Sequence, residues 1–165
     1  MSNKNTHAYH NPDLSQSIEE RVKAVAYSLT QDVNYNGWDT EVLKEVRFVS
    51  AVPGKVEFEM TVTPAMCNKG NNLHGGCSTT LLDNLSSTTF LTIAKEGFMD
   101  AGTVSRTITM TFLRPVPAGT KVRIICEAIS AGKRLANCKA QIETLDGKVC
   151  VTCIHDKAIV PRQKL

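Results

Sequence analysis

The sequence predicts an α+β fold: an antiparallel six-stranded sheet wrapped around a long central helix, with an extra N-terminal helix. One observation is the stretch at residues 74–96, which has few charges, no proline and no glycine after Gly76, as is typical of one long buried helix. The other is the set of six strand-like segments around it, bounded by turn residues. Because one helix cannot cover both faces of six strands, we expect the sheet to curl around it.

An amphipathic helix is predicted at residues 16–30. Its apolar side chains recur every three or four positions, as on one face of an α-helix; they are Ile18, Val22, Val25, Ala26 and Leu29. Ser15 or Ser17 is placed to cap its first turn. We therefore divide the chain into an N-terminal extension with one helix at residues 1–39 and a sheet-and-helix domain at residues 40–165.

Residues 42–63 are predicted to form two strands joined by a turn at residues 52–55. The second strand alternates between apolar and polar side chains, as expected when one face is buried; its apolar residues are Val56, Phe58, Met60 and Val62. Pro64 ends this strand. The asparagine- and glycine-rich residues 65–73 then form a loop that leads into the central helix.

Four more strands are predicted after the central helix. They lie near residues 102–113, 120–130, 134–145 and 148–160. Asp146-Gly147 connects the last two and is a strong signal for a tight hairpin. The open edge strands of such a sheet favour pairing with a second copy of the chain.

The composition excludes several functional classes. The 165 residues are 42% hydrophobic and carry a net charge of +3, which fits one globular domain and argues against a general nucleic-acid-binding surface. No apolar stretch approaches the roughly 20 residues that a membrane span requires.

Six cysteines without a preceding secretory signal predict reduced thiols in an intracellular compartment. The cytoplasm is the simplest location; mitochondria and peroxisomes stay open, and the final Gln-Lys-Leu is near the peroxisomal Ser-Lys-Leu address. Cys150 and Cys153 form a C-x-x-C, but residues three apart on a strand point to opposite faces. We therefore predict no metal site.

The stretch from Asn68 to Gly76 (NKGNNLHGG), followed by Asp83-Asn84, resembles the hotdog acyl-CoA thioesterases of the phenylacetate-degradation type, which include the animal thioesterase-superfamily proteins. The likeness continues through Val104-Ser105, Phe112-Leu113-Arg114-Pro115, Gly132-Lys133 and His155-Asp156-Lys157. It implies a hotdog fold and hydrolysis of a fatty or aromatic acyl-CoA, with no cofactor beyond the coenzyme A of the substrate. It also implies a homo-oligomer, either a dimer or a dimer of dimers.

The helix start at residues 74–76 suits a developing negative charge. In thioester hydrolysis the carbonyl oxygen gains charge, which free backbone N–H groups and the helix dipole stabilise. We assign the Gly75 N–H as the main donor, and Gly76 as a position where the missing side chain lets the substrate approach. The alternative is that both glycines serve only the turn into the helix.

Asp83 is the only acid in the body of the predicted central helix. A buried carboxylate is costly unless it has partners or a function. We therefore assign it as the base that activates water, or as a nucleophile. The alternative is a structural aspartate held by serine and threonine hydroxyls.

The spacing between His74 and Asp83 indicates a site shared by two subunits. Nine helical residues correspond to about 180° around the axis and roughly 13 Å along it. One chain therefore does not easily bring its own Asp83 to its own Gly75 N–H, whereas a two-fold-related copy can supply it. The resemblance implies the same arrangement.

Three further residues receive roles, those of Asn68 and Ser105 from the resemblance. Asn68 helps to hold the thioester carbonyl through its side-chain amide, or is an ordinary loop residue. His74 contacts the substrate or the leaving sulfur, or fixes the loop. Ser105 orients the water; it belongs to a predicted row of hydroxyls on one strand face, made up of Ser105, Thr107, Thr109 and Thr111.

Coenzyme A carries several phosphates, so cations should flank its binding site. The candidates are Arg114, Lys133, Arg134 and Lys157. For any one of them alone, a solvated surface side chain is the default interpretation.

Two other functional classes stay open. A hotdog hydratase or dehydratase would need a closely coupled histidine–acid pair, whereas His74 and Asp83 lie on opposite faces of the predicted helix. A non-catalytic acyl-CoA-binding hotdog protein would not need a carboxylate at Asp83. The fold alone does not decide between these classes.

Overall fold

The computed structural model of the protein describes residues 12–160. The beginning of the predicted N-terminal extension and the C-terminal Gln-Lys-Leu lie outside these residues.

Six antiparallel strands form one sheet in the order β1-β2-β4-β5-β6-β3, which confirms the predicted fold class. The strands are β1 (Arg47–Val52), β2 (Lys55–Thr61), β3 (Thr103–Phe112), β4 (Lys121–Ala131), β5 (Leu135–Thr144) and β6 (Val149–Ile159). Strands β3 to β6 begin and end within one residue of their predicted bounds. Within the described residues, the edge strand β3 pairs with β6 alone.

The N-terminal helix α1 (Ile18–Gln31) is confirmed. Ser17 caps it: the Ser17 hydroxyl accepts from the Glu20 N–H at 3.3 Å, and the Glu20 carboxylate accepts from the Ser17 N–H at 3.0 Å. This reciprocal pair satisfies two backbone groups that helix starts otherwise leave free. Val22 and Ala26 are buried one turn apart on the inner face.

A short helix α2 (Thr40–Leu43) precedes β1, where the sequence predicted a strand from residue 42. That prediction was wrong because Leu43 and Val46 are both buried. Side chains three residues apart share one face of a helical turn, whereas on a strand they would point to opposite sides.

The central helix α3 (Gly75–Ser86) begins where it was predicted but is shorter. The chain continues as a 3₁₀ segment from Ser87 to Ile93. Hydroxyl side chains bond to carbonyls three residues back in this region: Thr88 to Leu85 at 2.6 Å and Thr89 to Ser86 at 2.7 Å. This spacing favours the tighter 3₁₀ turn over the α-helical one.

The core lies between α3 and the inner face of the sheet. Leu81, Leu82 and Leu85 are fully buried, as are Phe58 on β2 and Ile124 on β4. Each such side chain contributes about 1.5–3 kcal/mol of hydrophobic free energy on burial. This packing fixes the position of α3 against the strands that carry the candidate site.

Strand β3 contains a bulge at Arg106. Ser105 pairs with Lys157 and Thr107 pairs with Asp156, so Arg106 is an extra residue. Because paired residues share a face, Ser105 lies on the inner face with Lys157, and Thr107 lies on the outer face with Asp156. The predicted single row of hydroxyls from Ser105 to Thr111 was therefore wrong: the bulge reverses the alternation.

Candidate active site

Asp83 and Ser105 are brought together by α3 and the bulged edge strand. The Ser105 hydroxyl donates a 2.6 Å hydrogen bond to Asp83 Oδ1. The side chain of Asp83 is 43% exposed, so it is not buried as the sequence indicated. Its partner is a serine hydroxyl, which is the kind of partner that the structural alternative named. A half-exposed carboxylate with one fixed partner is accessible to a water molecule and to a substrate.

Lys157 lies behind this pair rather than on the protein surface. Lys157 is only 3% exposed. Its Nζ donates to Ser105 Oγ at 3.0 Å and to Ser87 Oγ at 2.8 Å. Burial lowers the pKa of Lys157, and the nearby Asp83 carboxylate partly counteracts this effect. The ammonium orients the Ser105 hydroxyl, whose proton points to Asp83.

His155 is a second buried neighbour of Asp83. The residue is 0% exposed; its Nε2 lies 3.3 Å from Asp83 Oδ1, and its Nδ1 shares a 2.8 Å hydrogen bond with Ser86 Oγ. Burial, with a further contribution from Lys157, lowers its pKa to about 4. The imidazole is therefore neutral at neutral pH, so the contact with Asp83 is not an ion pair under those conditions.

The helix start presents a free backbone donor. His74 is the N-cap, and its Nδ1 accepts from the Gly76 N–H at 2.9 Å. In the described chain, the Gly75 N–H has no acceptor. The Phe112 ring covers this position so closely that a Cβ on Gly75 would lie 3.3 Å from it. The Gly75 N–H is thus the donor that is still available at this helix start, while the Gly76 N–H is already used.

Asn68 organises the loop before α3. Its Oδ1 accepts from the Gly70 N–H at 2.9 Å and from the Asn72 N–H at 3.3 Å. Within residues 12–160, its Nδ2 group has no hydrogen-bond partner. Asn68 therefore stabilises the loop and also has a free amide donor. Both of its predicted roles, in the loop and toward a thioester carbonyl, are compatible with this geometry.

The candidate cations do not lie together in one chain. Arg114 is exposed beside the start of β6, where it donates to the Val149 carbonyl at 2.5 Å. Lys133 and Arg134 are exposed at the β4–β5 hairpin, beside the end of β6 at Ile159. The length of β6 separates the two groups by roughly 33 Å, and Lys157 is buried between them.

No group of three metal-ligating side chains occurs within residues 12–160. Cys150 and Cys153 are both buried free thiols. They do not point to opposite faces as predicted, because the pairing of β5 with β6 shifts by one residue opposite Cys150. Burial raises the pKa of Cys153 to about 11, which opposes the thiolate that metal binding or redox exchange requires.

The sequence did not single out His155, Ser86 and Ser87 as site residues, and it placed Lys157 with the phosphate-binding cations. One signal was present. His155 and Lys157 are two residues apart on one predicted strand, so both had to lie on the same face. The sequence does not show that this face of the strand packs beside Asp83.

The chain is similar to known proteins over most of its length. A family model described as the thioesterase superfamily matches residues 70–151. Acyl-coenzyme A thioesterase 13 from Homo sapiens is 33% identical over 123 residues, which cover 74% of this chain and 79% of that protein. The crystal structure of zebrafish thioesterase superfamily member 2 superimposes with a TM-score of 0.76 at 26% identity and covers 88% of this chain and 99% of its own.

The mouse thioesterase superfamily member 2 structure superimposes similarly, with a TM-score of 0.74 at 27% identity over 88% of this chain and 99% of its own. None of the helices within residues 12–160 combines the length and apolar character of a membrane span.

The similarities in sequence and structure show that the chain belongs to the thioesterase superfamily, has the hotdog fold, and is a thioester hydrolase of that family.

Proposed function

We propose that the protein hydrolyses acyl-CoA to a free acid and coenzyme A, at a site to which two copies of the chain contribute. The resemblance to acyl-coenzyme A thioesterase 13 supports acyl-CoA as the substrate class. The observation that carries the proposal is the half-exposed Asp83 carboxylate, held by the Ser105 hydroxyl at 2.6 Å.

In the proposed reaction, Asp83 removes a proton from a water molecule whose oxygen attacks the thioester carbon. The carbonyl oxygen becomes an oxyanion, which the Gly75 N–H stabilises; one such donor lowers the barrier by about 3–4 kcal/mol. The tetrahedral intermediate then expels the coenzyme A thiolate, and the proton reaches the thiolate through Asp83 or solvent. A thiolate is a good leaving group, so a dedicated strong acid is not needed.

Two copies are needed because one chain separates the two groups. Gly75 and Asp83 are eight residues apart on the same helix, which corresponds to about 12 Å. The free edge of β3 supports a two-fold partner, since an unpaired strand edge readily extends a sheet. In such a dimer, Asp83 of one copy faces the helix start of the other, as in an isologous interface.

The hydratase or dehydratase alternative gains one observation from the structure. A histidine–acid pair does exist, because His155 Nε2 lies 3.3 Å from Asp83 Oδ1. However, His155 is fully buried and cannot contact a substrate. We therefore assign it as a positioning residue for Asp83. Loss of enoyl-CoA absorbance without thiol release would favour the alternative.

The test is thiol release from acyl-CoA by the purified full chain, with Asp83→Ala as the variant and Glu96→Ala, an exposed acid, as the matched control. Removal of a general base should lower kcat by roughly 100- to 10,000-fold. Circular dichroism and the thermal midpoint check that the fold is retained. Full activity in folded Asp83→Ala would contradict the mechanism, and ligand binding without turnover in the wild type would favour a non-catalytic acyl-CoA-binding protein.

A further inference from the structure

A cavity of about 350 Å³ lies between the N-terminal extension and the central helix. Val25 and Leu29 of α1 and Leu43 of α2 form one wall, and the opposite wall includes Leu91 of the 3₁₀ segment. Small-molecule pockets typically measure about 300–1,000 Å³ and are mostly apolar. The cavity is therefore large enough to hold an apolar ligand.

The cavity adjoins the Asp83 network. Asn84, the residue after Asp83, lines it, and so does Ser87, which accepts a 2.8 Å hydrogen bond from Lys157. Thr103, at the start of β3, lines it two residues before Ser105. A substrate whose thioester lies at Asp83 thus has an apolar space beside it for the rest of its acyl chain.

We propose that this cavity binds the acyl chain and that the N-terminal extension sets the chain length that fits; this inference rests on the proposed thioesterase function. A methylene is about as large as a water molecule, whose share of liquid volume is roughly 30 Å³, so the cavity holds on the order of ten carbons. Aliphatic side chains and the rings of Tyr35 and Phe90 line the cavity, and its volume suits a medium-length acyl chain.

The cavity also selects against chains that end in a charge. Asp32 and Asp39 line it; Asp39 is buried and accepts a 2.8 Å hydrogen bond from the Tyr35 hydroxyl. These aspartates would repel a carboxylate at the end of an acyl chain, because the environment has a low dielectric constant. Decanedioyl-CoA should therefore have a much lower kcat/KM than decanoyl-CoA. Asp39→Asn should reduce this difference in kcat/KM.

The test fills the cavity from α1. Leu29→Trp should lower the ratio of kcat/KM for decanoyl-CoA to that for butanoyl-CoA by at least about tenfold, because only the longer chain needs the lost space. Ala24→Trp, at an exposed position of the same helix, is the matched control. Ser28→Leu is a milder variant in case Leu29→Trp does not fold. Ser28 lines the cavity, and its hydroxyl donates to the Val25 carbonyl of the same helix.

An unchanged ratio in the filled variant, or an equal decrease in Ala24→Trp, would overturn the inference. Isothermal titration with decyl-CoA, a thioether that cannot be hydrolysed, measures binding without turnover. It therefore distinguishes a failure of the acyl-chain cavity from a failure of the proposed thioesterase function. A wild type that binds the thioether but releases no thiol, with at least about tenfold weaker binding in Leu29→Trp, would support the cavity and contradict the thioesterase. A wild type that neither binds nor hydrolyses would overturn both.

Discussion

The hydroxyl of Ser105 reaches Asp83 because strand β3 carries one extra residue between Ser105 and Thr107. Without the bulge at Arg106, strict alternation would place Ser105 on the outer face with Thr107. The side chain of Arg106 is on the outer face of the sheet, where its guanidinium lies 3.5 Å from the Asp156 carboxylate. A local irregularity in an edge strand thus builds the contact on which the candidate site depends.

Because of the bulge, we predict that substitution of two neighbouring hydroxyl residues affects kcat differently. Ser105→Ala removes a hydrogen bond to a carboxylate, worth about 1.5–3 kcal/mol, so kcat should fall by roughly 10- to 100-fold. Thr107→Ala, on the outer face, should leave kcat close to the wild-type value. Steady-state thiol release measures both. Equal losses in the two variants would show that Ser105 does not act through Asp83.

The backbone donor at Gly75 is testable with two substitutions, of which only one keeps the N–H. Gly75→Pro removes the N–H, and proline suits the first position of a helix, while the extended backbone of His74 (ψ 136°) is compatible with a following proline. Gly75→Ala keeps the N–H and introduces the same Cβ against Phe112. We expect kcat of Gly75→Pro to be roughly 100- to 1,000-fold below that of Gly75→Ala.

Similar kcat values for the two Gly75 variants would contradict the role of its N–H. The thermal midpoint of each variant is the control for folding. Both introduce a Cβ beside the Phe112 ring, so that contact is matched in the comparison. Proline then differs from alanine by the lost N–H and by the Cγ and Cδ of its ring.

Buried His155 predicts a specific dependence of stability on pH. A histidine in the unfolded chain titrates near 6.5, whereas the pKa of His155 in the folded protein is about 4. Between these values the unfolded chain binds a proton that the folded chain does not. The free energy of unfolding should therefore fall by up to about 3 kcal/mol as the pH decreases from about 6.5 to about 4.

Urea unfolding of the wild type and of His155→Gln across this pH range measures the contribution of His155. The variant should show a shallower dependence, since the remaining slope comes from other groups. Parallel curves for the wild type and His155→Gln would contradict the low pKa of His155.

The sequence predicted well wherever the signal is local. Asp146-Gly147 marks the β5–β6 hairpin, and Gly147 has the left-handed φ of +83° that its turn requires. Ser17, one of the two serines predicted as caps, is the N-cap of α1, and the start of α3 at residues 74–76 is where the sequence placed it. In each case a few neighbouring residues determine the backbone geometry.

The sequence failed where distant segments decide. Arg106 has no composition that distinguishes a bulge from a regular strand position, so the face of Ser105 could not be derived from alternation. The approach of His155 and Lys157 to Asp83 depends on how β6 packs against α3, and no local pattern records that contact. The interior position of Lys157 follows from the same packing.

The most direct test of the shared site is complementation between two inactive variants. When Asp83→Ala and Gly75→Pro chains are co-expressed in equal amounts, half of the dimers are mixed, and each mixed dimer has one intact site out of two. We therefore expect about one quarter of the wild-type thiol-release activity. A co-expressed sample no more active than the separate variants would show that Asp83 and Gly75 do not act across a dimer interface.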